Sequence, residues 1–303
     1  MTLLITHENA NRRLDKFLFA YFNNAPHSFI YKLLRKKRIK LNGMKATGSE
    51  ILQSGDELKL YLSEETIQSC RKSKIFPKAK PLTDIIFEDE NLLVINKPGG
   101  LPSQGGMSDP DHLLARIHFY LQEKGEISES FTPAICNRLD VNTSGLVICG
   151  KNLRTLQHIN GLFAHRQIEK EYTAIAHGIV GKVGETVTLK GTYKKDSTTN
   201  TATIIKNNDG VDVVTTYTIQ AISKNHTLLS IMPITGRSHQ IRAHFASIMH
   251  PLLGDKKYGG QSTPFAPAQL LHCRRLTISQ EQSWEAPLPK SFVKCIWEWF
   301  GKG

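Results

Sequence analysis

Cysteine is scarce in this chain. The five present, Cys70, Cys136, Cys149, Cys273 and Cys295, show no paired C-x-x-C spacing. Neither a zinc site nor a disulfide framework is expected from them. Cys136 and Cys149 lie in apolar runs and read as small buried hydrophobes. Long apolar stretches are also missing, since none approaches the ~18 residues of a membrane span. The opening, Met1 to Glu8, lacks the basic region and apolar core of a signal peptide. A soluble protein of the reducing cytoplasm, with no membrane partner, is therefore expected. Nucleotide motifs are absent as well. Residues 145–152 follow a phosphate-loop pattern as far as Lys151, but Asn152 stands where Ser or Thr should hold magnesium, and the interior is apolar. Thr143-Ser144-Gly145 lacks the G-x-S-x-G frame of a nucleophile elbow, which speaks against a serine hydrolase. No internal repeat or low-complexity tract is evident.

What remains is an ordinary globular composition with an uneven charge. At 303 residues and 40% apolar content, about two domains are expected. The formal charge is +12, and residues 1–80 hold 16 Lys and Arg against 7 acids, a net of +9. Such concentration is the footprint of a polyanion-binding module, although charge runs are often only solvated faces. Within it, Leu14, Phe17, Leu18 and Tyr21 mark the apolar stripe of a first helix. Ser28 is placed to cap a second helix, with Ile30, Leu33 and Leu34 inward and Lys32, Arg35, Lys36 and Lys37 outward. Residues 38–43 alternate and end in an Asn-Gly turn. Residues 57–62 alternate again as a later strand of the same sheet. Residues 63–82, with Arg71, Lys72, Lys74, Lys78 and Lys80 and two prolines, read as an exposed basic linker. From Asp84 onward, short strands alternate with few helices, so an α+β order is expected in place of βαβ repeats. Residues 85–100 are expected to give a strand, an acidic turn, a second strand and a Pro-Gly stop, and Asn152 to Phe163 a helix.

The most informative stretch is Asn137-Arg138-Leu139-Asp140-Val141-Asn142-Thr143-Ser144-Gly145-Leu146, a charged turn between two apolar runs. It resembles the R-L-D-x-x-T-S-G-L signature of the RluA-like pseudouridine synthases, with Asn137 where that family usually has histidine. Two further blocks follow in the family's order. Residues 167–176 carry Lys170-x-Tyr172-x-Ala174, and residues 234–245 match T-G-R-x-H-Q-I/L-R-x-H at every fixed position. Residues 12–62 resemble the S4 RNA-binding domain. The whole is similar to the RluC/RluD-type branch of the family.

The resemblance implies a pseudouridine synthase fold: an extended, mostly antiparallel mixed sheet with flanking helices and a central cleft, over residues 83–303. A small α+β RNA-binding domain (1–62) and a linker (63–82) precede it. It implies Asp140 as the catalytic carboxylate, a group ionised at neutral pH without activation. It further implies Tyr172 against the uracil ring, Arg237 paired with Asp140, and Arg138 filling the space left by the flipped nucleotide. Taken alone, Tyr172 is an ordinary core aromatic of a strand, and Asp140 an ordinary turn-capping aspartate. By spacing, Arg237 shares the inward face of the helix carrying Ile241, Phe245 and Ile248. His239 and His244 lie five apart with no acid or cysteine beside them, so structural roles are expected in place of metal. RNA contacts are expected from Lys32, Arg35, Lys36, Lys37, Arg38 and Lys40. The implied reaction isomerises uridine in RNA, most commonly large-subunit ribosomal RNA, by a monomer with no cofactor and no metal. The alternatives are a non-catalytic RNA-binding or ribosome-assembly factor, which should have lost Asp140, Tyr172 or Arg237, and a nucleic-acid hydrolase, which lacks its metal carboxylates.

Overall fold

The computed structural model describes residues 1–72, 75–105, 110–128, 131–205, 210–280 and 282–301. Lys74 of the basic segment lies outside them. The N-terminal unit has a four-stranded antiparallel sheet of order β1-β4-β2-β3, built from β1 (Thr2–Leu4), β2 (Ile39–Leu41), β3 (Met44–Lys45) and β4 (Glu57–Leu60). Helices α1 (Leu14–Tyr21) and α2 (His27–Arg35) cover its inner side. The two apolar stripes read from the sequence are buried together with Ile39, Leu58 and Leu60 in one core. Asn42 and Gly43 both have positive φ, as the tight hairpin between β2 and β3 demands.

Two local readings are corrected and one strand is added. Pro26, with its fixed φ, stands at the start of α2, so Ser28 is not the cap. Strand β1 carries no signal in the sequence; it is a three-residue edge strand paired with β4. Residues 63–70 are not exposed linker. They form α3 (Glu64–Ser69), capped by the Ser63 hydroxyl, with Ile67 and Cys70 buried in the N-terminal core. Further on, Phe76 is docked on α4 (Leu113–Glu123) by a two-way hydrogen bond between its backbone and the Gln122 amide. Its ring lies 4.2 Å from that of His118.

The remaining strands form one sheet of eleven, with β11-β10-β12-β13-β9-β14-β8-β6-β5 as its main order. They are β5 (Ile85–Glu88), β6 (Leu92–Lys97), β7 (Ala134–Ile135), β8 (Ser144–Gly150), β9 (Glu169–His177), β10 (Thr186–Asp196), β11 (Thr201–Ile205), β12 (Val211–Ile222), β13 (His226–Pro233), β14 (Leu271–Ser279) and β15 (Gln282–Glu285). Strand β7 adds to β8, and β15 to β14. Helices α5 (Leu153–Ala164), α6 (Gln240–Ser247) and α7 (Lys290–Phe300) flank it. The fold is α+β, as expected. Every described strand pair is antiparallel except β8 with β14 at the centre. All seven residues of β8 are buried, which explains its unbroken apolar reading.

The parallel pair sets a steric limit. Gly145 has φ +114°, and a Cβ there would lie 2.6 Å from the Cys273 backbone nitrogen. Only glycine meets both demands. We expect Gly145→Ala to separate β8 from β14 and lower the melting temperature by several degrees at least. A melt followed by circular dichroism checks this, and an unchanged midpoint would contradict it.

Candidate active site

The loop between β7 and β8 is fixed from several sides. Asn137, in the position where the resembling family usually has histidine, accepts the Ile148 N–H at 2.9 Å and donates to the Leu146 carbonyl at 3.1 Å. It thereby ties the loop to β8 as a strand partner would. The Ser103 hydroxyl donates to the Leu139 carbonyl at 2.8 Å and accepts the Leu139 N–H. The Thr143 N–H closes a turn on the Asp140 carbonyl. Beneath the loop, the fully buried Lys97 ammonium donates to the carbonyls of Pro98, Leu101 and Val141 at 2.7–3.0 Å. Burial pushes this ammonium down to about 7, and the charge of nearby Asp140 works the other way. The three accepting carbonyls use all its hydrogens, which favours the charged form.

Asp140 projects from this loop into a cleft of about 1110 Å³. Arg138, Tyr172 and Arg237 line the same cleft, so the structure brings together the residues that the resemblance singled out. Eight Lys and Arg residues line it against three aspartates, a balance suited to a polyanion. Arg138 is exposed and makes no hydrogen bond or ion pair among the described residues. Lys32, Arg35, Lys36, Lys37, Arg38 and Lys40 do not line the cleft. Lys32 and Arg35 lie on α2, Lys36, Lys37 and Arg38 in the turn after it, and Lys40 on β2 of the N-terminal unit; all but the half-buried Lys40 are exposed.

The expected pairing of Arg237 with Asp140 is corrected. Helix α6 begins at Gln240, so Arg237 lies in the turn before it, exposed, with its backbone N–H bonded to the Gln240 side chain. The partner of Asp140 is Arg242. One guanidinium nitrogen of Arg242 donates to Asp140 Oδ2 at 2.8 Å, and two others grip both oxygens of Asp255 at 2.7 and 2.8 Å. The Arg242 side chain is 7% exposed and that of Asp255 1%, so the fork is shielded from water. Burial alone disfavours the Arg242 charge, but the bonds and charges of Asp255 and Asp140 outweigh it and raise its pKa. Sequence reasoning missed Arg242, Asp255 and Tyr258. Arg242 directly follows the inward-facing Ile241, so helical spacing alone turns it away from the core; Asp140 reaches it from an earlier loop and Asp255 from a later one.

His239 stands at the start of α6 in the left-handed region, φ +56°, a conformation that costs energy in a non-glycine residue and is frequent at functional sites. Its Nε2 is 3.7 Å from Asp140 Oδ2, and its Nδ1 is 3.0 Å from the Tyr258 hydroxyl. That hydroxyl accepts the Ala202 N–H at 2.8 Å; where its own hydrogen goes to Nδ1, the histidine proton sits on Nε2, facing Asp140. Burial lowers the His239 pKa, although Asp140 opposes this. The Tyr258 ring also lies under the Arg242 guanidinium, 4.8 Å from its centroid. His244 has the expected structural character: it is buried, 2.8 Å from the Thr215 hydroxyl, and pushed down to about 4 by burial. Tyr172 meets Asp140 from β9. Burial first, and then Cys273 and Asp140, raise its phenol well above the ordinary value, so the hydroxyl keeps its proton. Among the described residues no group of three or more His, Cys, Asp or Glu could hold a metal ion. No described helix is long and apolar enough to cross a membrane.

Comparison with known proteins gives the family and the fold. The family model described as RNA pseudouridylate synthase matches residues 91–247, and the S4 domain model matches residues 12–58. The ribosomal large subunit pseudouridine synthase C of Rickettsia conorii is 31% identical over 93% of this chain and 95% of its own. The ribosomal large subunit pseudouridine synthase D of Haemophilus ducreyi is 31% identical over 98% and 93%. Among solved structures, human RNA pseudouridylate synthase domain containing 4 shares the fold, with a TM-score of 0.57 and 24% identity over 70% of this chain and 91% of that one. The chain belongs to the RNA pseudouridylate synthase family. It is an isomerase of the RluA-like group, carrying an S4 domain ahead of the catalytic sheet.

Two expectations follow from the ion-pair geometry. Arg242→Lys keeps a charge but cannot grip Asp255 and reach Asp140 together. Its single-turnover rate at saturating enzyme should fall at least about tenfold, equivalent to roughly 1.4 kcal/mol. Arg237→Ala should keep its rate under the same conditions while binding RNA more weakly; the reverse ranking would refute the assignment. For Tyr258→Phe, nitrogen-15 NMR of labelled histidine should show His239 leaving its single tautomer. An unchanged spectrum would show that the hydroxyl does not set the proton.

Proposed function

We propose that the chain converts uridine to pseudouridine in large-subunit ribosomal RNA, with Asp140 as the catalytic carboxylate. The observation that carries this reading is Asp140 itself, held by the buried Arg242 fork at the floor of a cation-lined cleft beside Tyr172. The choice of RNA rests on the names of the two bacterial relatives, similar over nearly their whole length. A cytoplasmic setting fits the absence of disulfides among its five cysteines.

In the proposed sequence of events the target nucleotide leaves its stack and enters the cleft. Arg138, exposed at the mouth and unpaired among the described residues, takes the vacated space. The uracil ring lies against Tyr172, where a flat ring contributes ~1–3 kcal/mol of stacking without demanding a particular base. Asp140 assists cleavage of the bond between uracil N1 and ribose C1′. The ring turns, C5 bonds to C1′, the C5 proton passes to solvent, and N1 takes up a proton. The net change is an isomerisation, with atoms and electrons balanced and no redox or phosphoryl step. Arg242 and Asp255 act through Asp140 as positioning residues, and Lys32, Arg35, Lys36, Lys37, Arg38 and Lys40 draw in the RNA backbone.

Asp140→Asn retains the shape of the side chain and removes its charge. We expect the variant to melt within a few degrees of the wild type and to bind RNA with unchanged affinity. It should release no tritium from RNA labelled at uridine C5. Clear turnover by the purified variant would sink the catalytic assignment.

A further inference from the structure

We propose that the outer face of the N-terminal sheet, through Lys45 and Lys59 on either side of Lys40, extends the RNA-backbone surface of α2 across the sheet. This rests on the RNA-modifying reading above and adds Lys45 and Lys59, which that reading does not contain. Strand register places Lys45, Lys40 and Lys59 directly opposite one another on three adjacent strands. Neighbouring strands are about 4.8 Å apart, so three ammonium stems form a row roughly 10 Å long. Their alternating neighbours Ile39, Leu58 and Leu60 are buried in the core on the other side, where α1 and α2 pack. The row therefore lies on the far side of the sheet from those helices.

Like charges directly opposite on a sheet are destabilising, and no acid stands directly opposite any of these three. None of them makes an ion pair among the described residues. Glu57 is an acid on the same face, two residues along β4 at the edge paired with Leu4. Tyr61 preorganises the row: its ring lies 5.4 Å from the Lys40 ammonium and 5.9 Å from that of Lys59. Its backbone N–H bonds to the Arg38 carbonyl, which sets Arg38 opposite Tyr61 on this same face. Lys36, Lys37 and Arg38 then lead round the sheet edge to the exposed Lys32 and Arg35 of α2. Closely spaced like charges that form no ion pair among the described residues fit the phosphates of an RNA strand that continues round the edge of the domain.

The test uses the full chain and two probes, a single-stranded oligouridylate and an RNA hairpin, with affinity measured across a potassium chloride series. The Lys45→Ala/Lys59→Ala double variant should bind the single strand more weakly. Its slope of log affinity against log salt should flatten by about 1.4, at ~0.7 for each phosphate that is no longer neutralised. A Lys182→Ala/Lys224→Ala variant removes the same charge from exposed positions of the catalytic unit and should leave the slope near that of the wild type. A Lys45/Lys59 slope equal to the wild type, or no flatter than that control, for both probes would overturn the proposal. Tritium release by the wild type at saturating enzyme is scored separately. If the wild type released none, the catalytic reading would fail, while the salt slopes would still judge the lysine row.

Discussion

One buried guanidinium shared between two carboxylates organises the catalytic half of this protein. Arg242 directs two of its donors to Asp255 and one to Asp140, so the less exposed carboxylate holds the fork in the orientation that the more exposed one needs. Removing one partner of such a buried pair typically costs about 3–5 kcal/mol, because the remaining charge is stranded. The arrangement joins three chain segments that are far apart in sequence: the loop before β8, the first turn of α6, and the loop after it. The helix start is itself fixed by Gln240. Its buried amide accepts from the Thr235 hydroxyl and donates to the Val214 carbonyl and the Thr215 hydroxyl on β12. Asp140 is thus referenced to the sheet from both sides of the cleft.

The place of the cleft follows from strand order. Antiparallel hairpins on either flank meet at the parallel pair of β8 and β14, and the loop entering β8 opens there. A loop at that point has a buried strand behind it and a reversal of strand direction beside it, a geometry that leaves a crevice between neighbouring connections. Gly145 allows the two backbones to approach closely enough to close the sheet under the crevice.

Much of this was legible in the sequence, and the division has a physical cause. Helix α1 and the strand pair β5–β6 were readable because periodicity records which face is buried, and burial is what those elements are selected for. Asp140, Arg138 and Tyr172 were readable because their local motifs are contiguous. The pairing of Asp140 was not. The spacing of Arg237 against Ile241 is compatible with a helix face, but the chain does not become helical until Gln240, and periodicity says nothing about which residue of a later loop folds back. The same holds for Tyr258, whose bonds to Ala202 and His239 join segments with no shared pattern. The helix α3 was hidden by composition, since a polar segment rich in lysine reads as linker although Ile67 and Cys70 suffice to anchor one short helix.

The electrostatics of the cleft impose a further demand that the fork answers. An RNA strand would bring a dense line of negative charge toward Asp140, and a carboxylate left alone in that field would repel it. The seven cations lining the cleft besides Arg242 attract the polyanion, but long, flexible side chains cannot hold a single carboxylate oxygen in place without losing rotamer freedom. The structure separates the two tasks. Exposed side chains such as Arg138 and Arg237 keep their charges in water and adjustable, while Arg242 is locked by Asp255 and by the Tyr258 ring beneath it. Attraction is thereby left to groups that can follow the RNA, and orientation to one that cannot move. That separation lets a strongly basic cleft present a single, fixed negative charge at its floor.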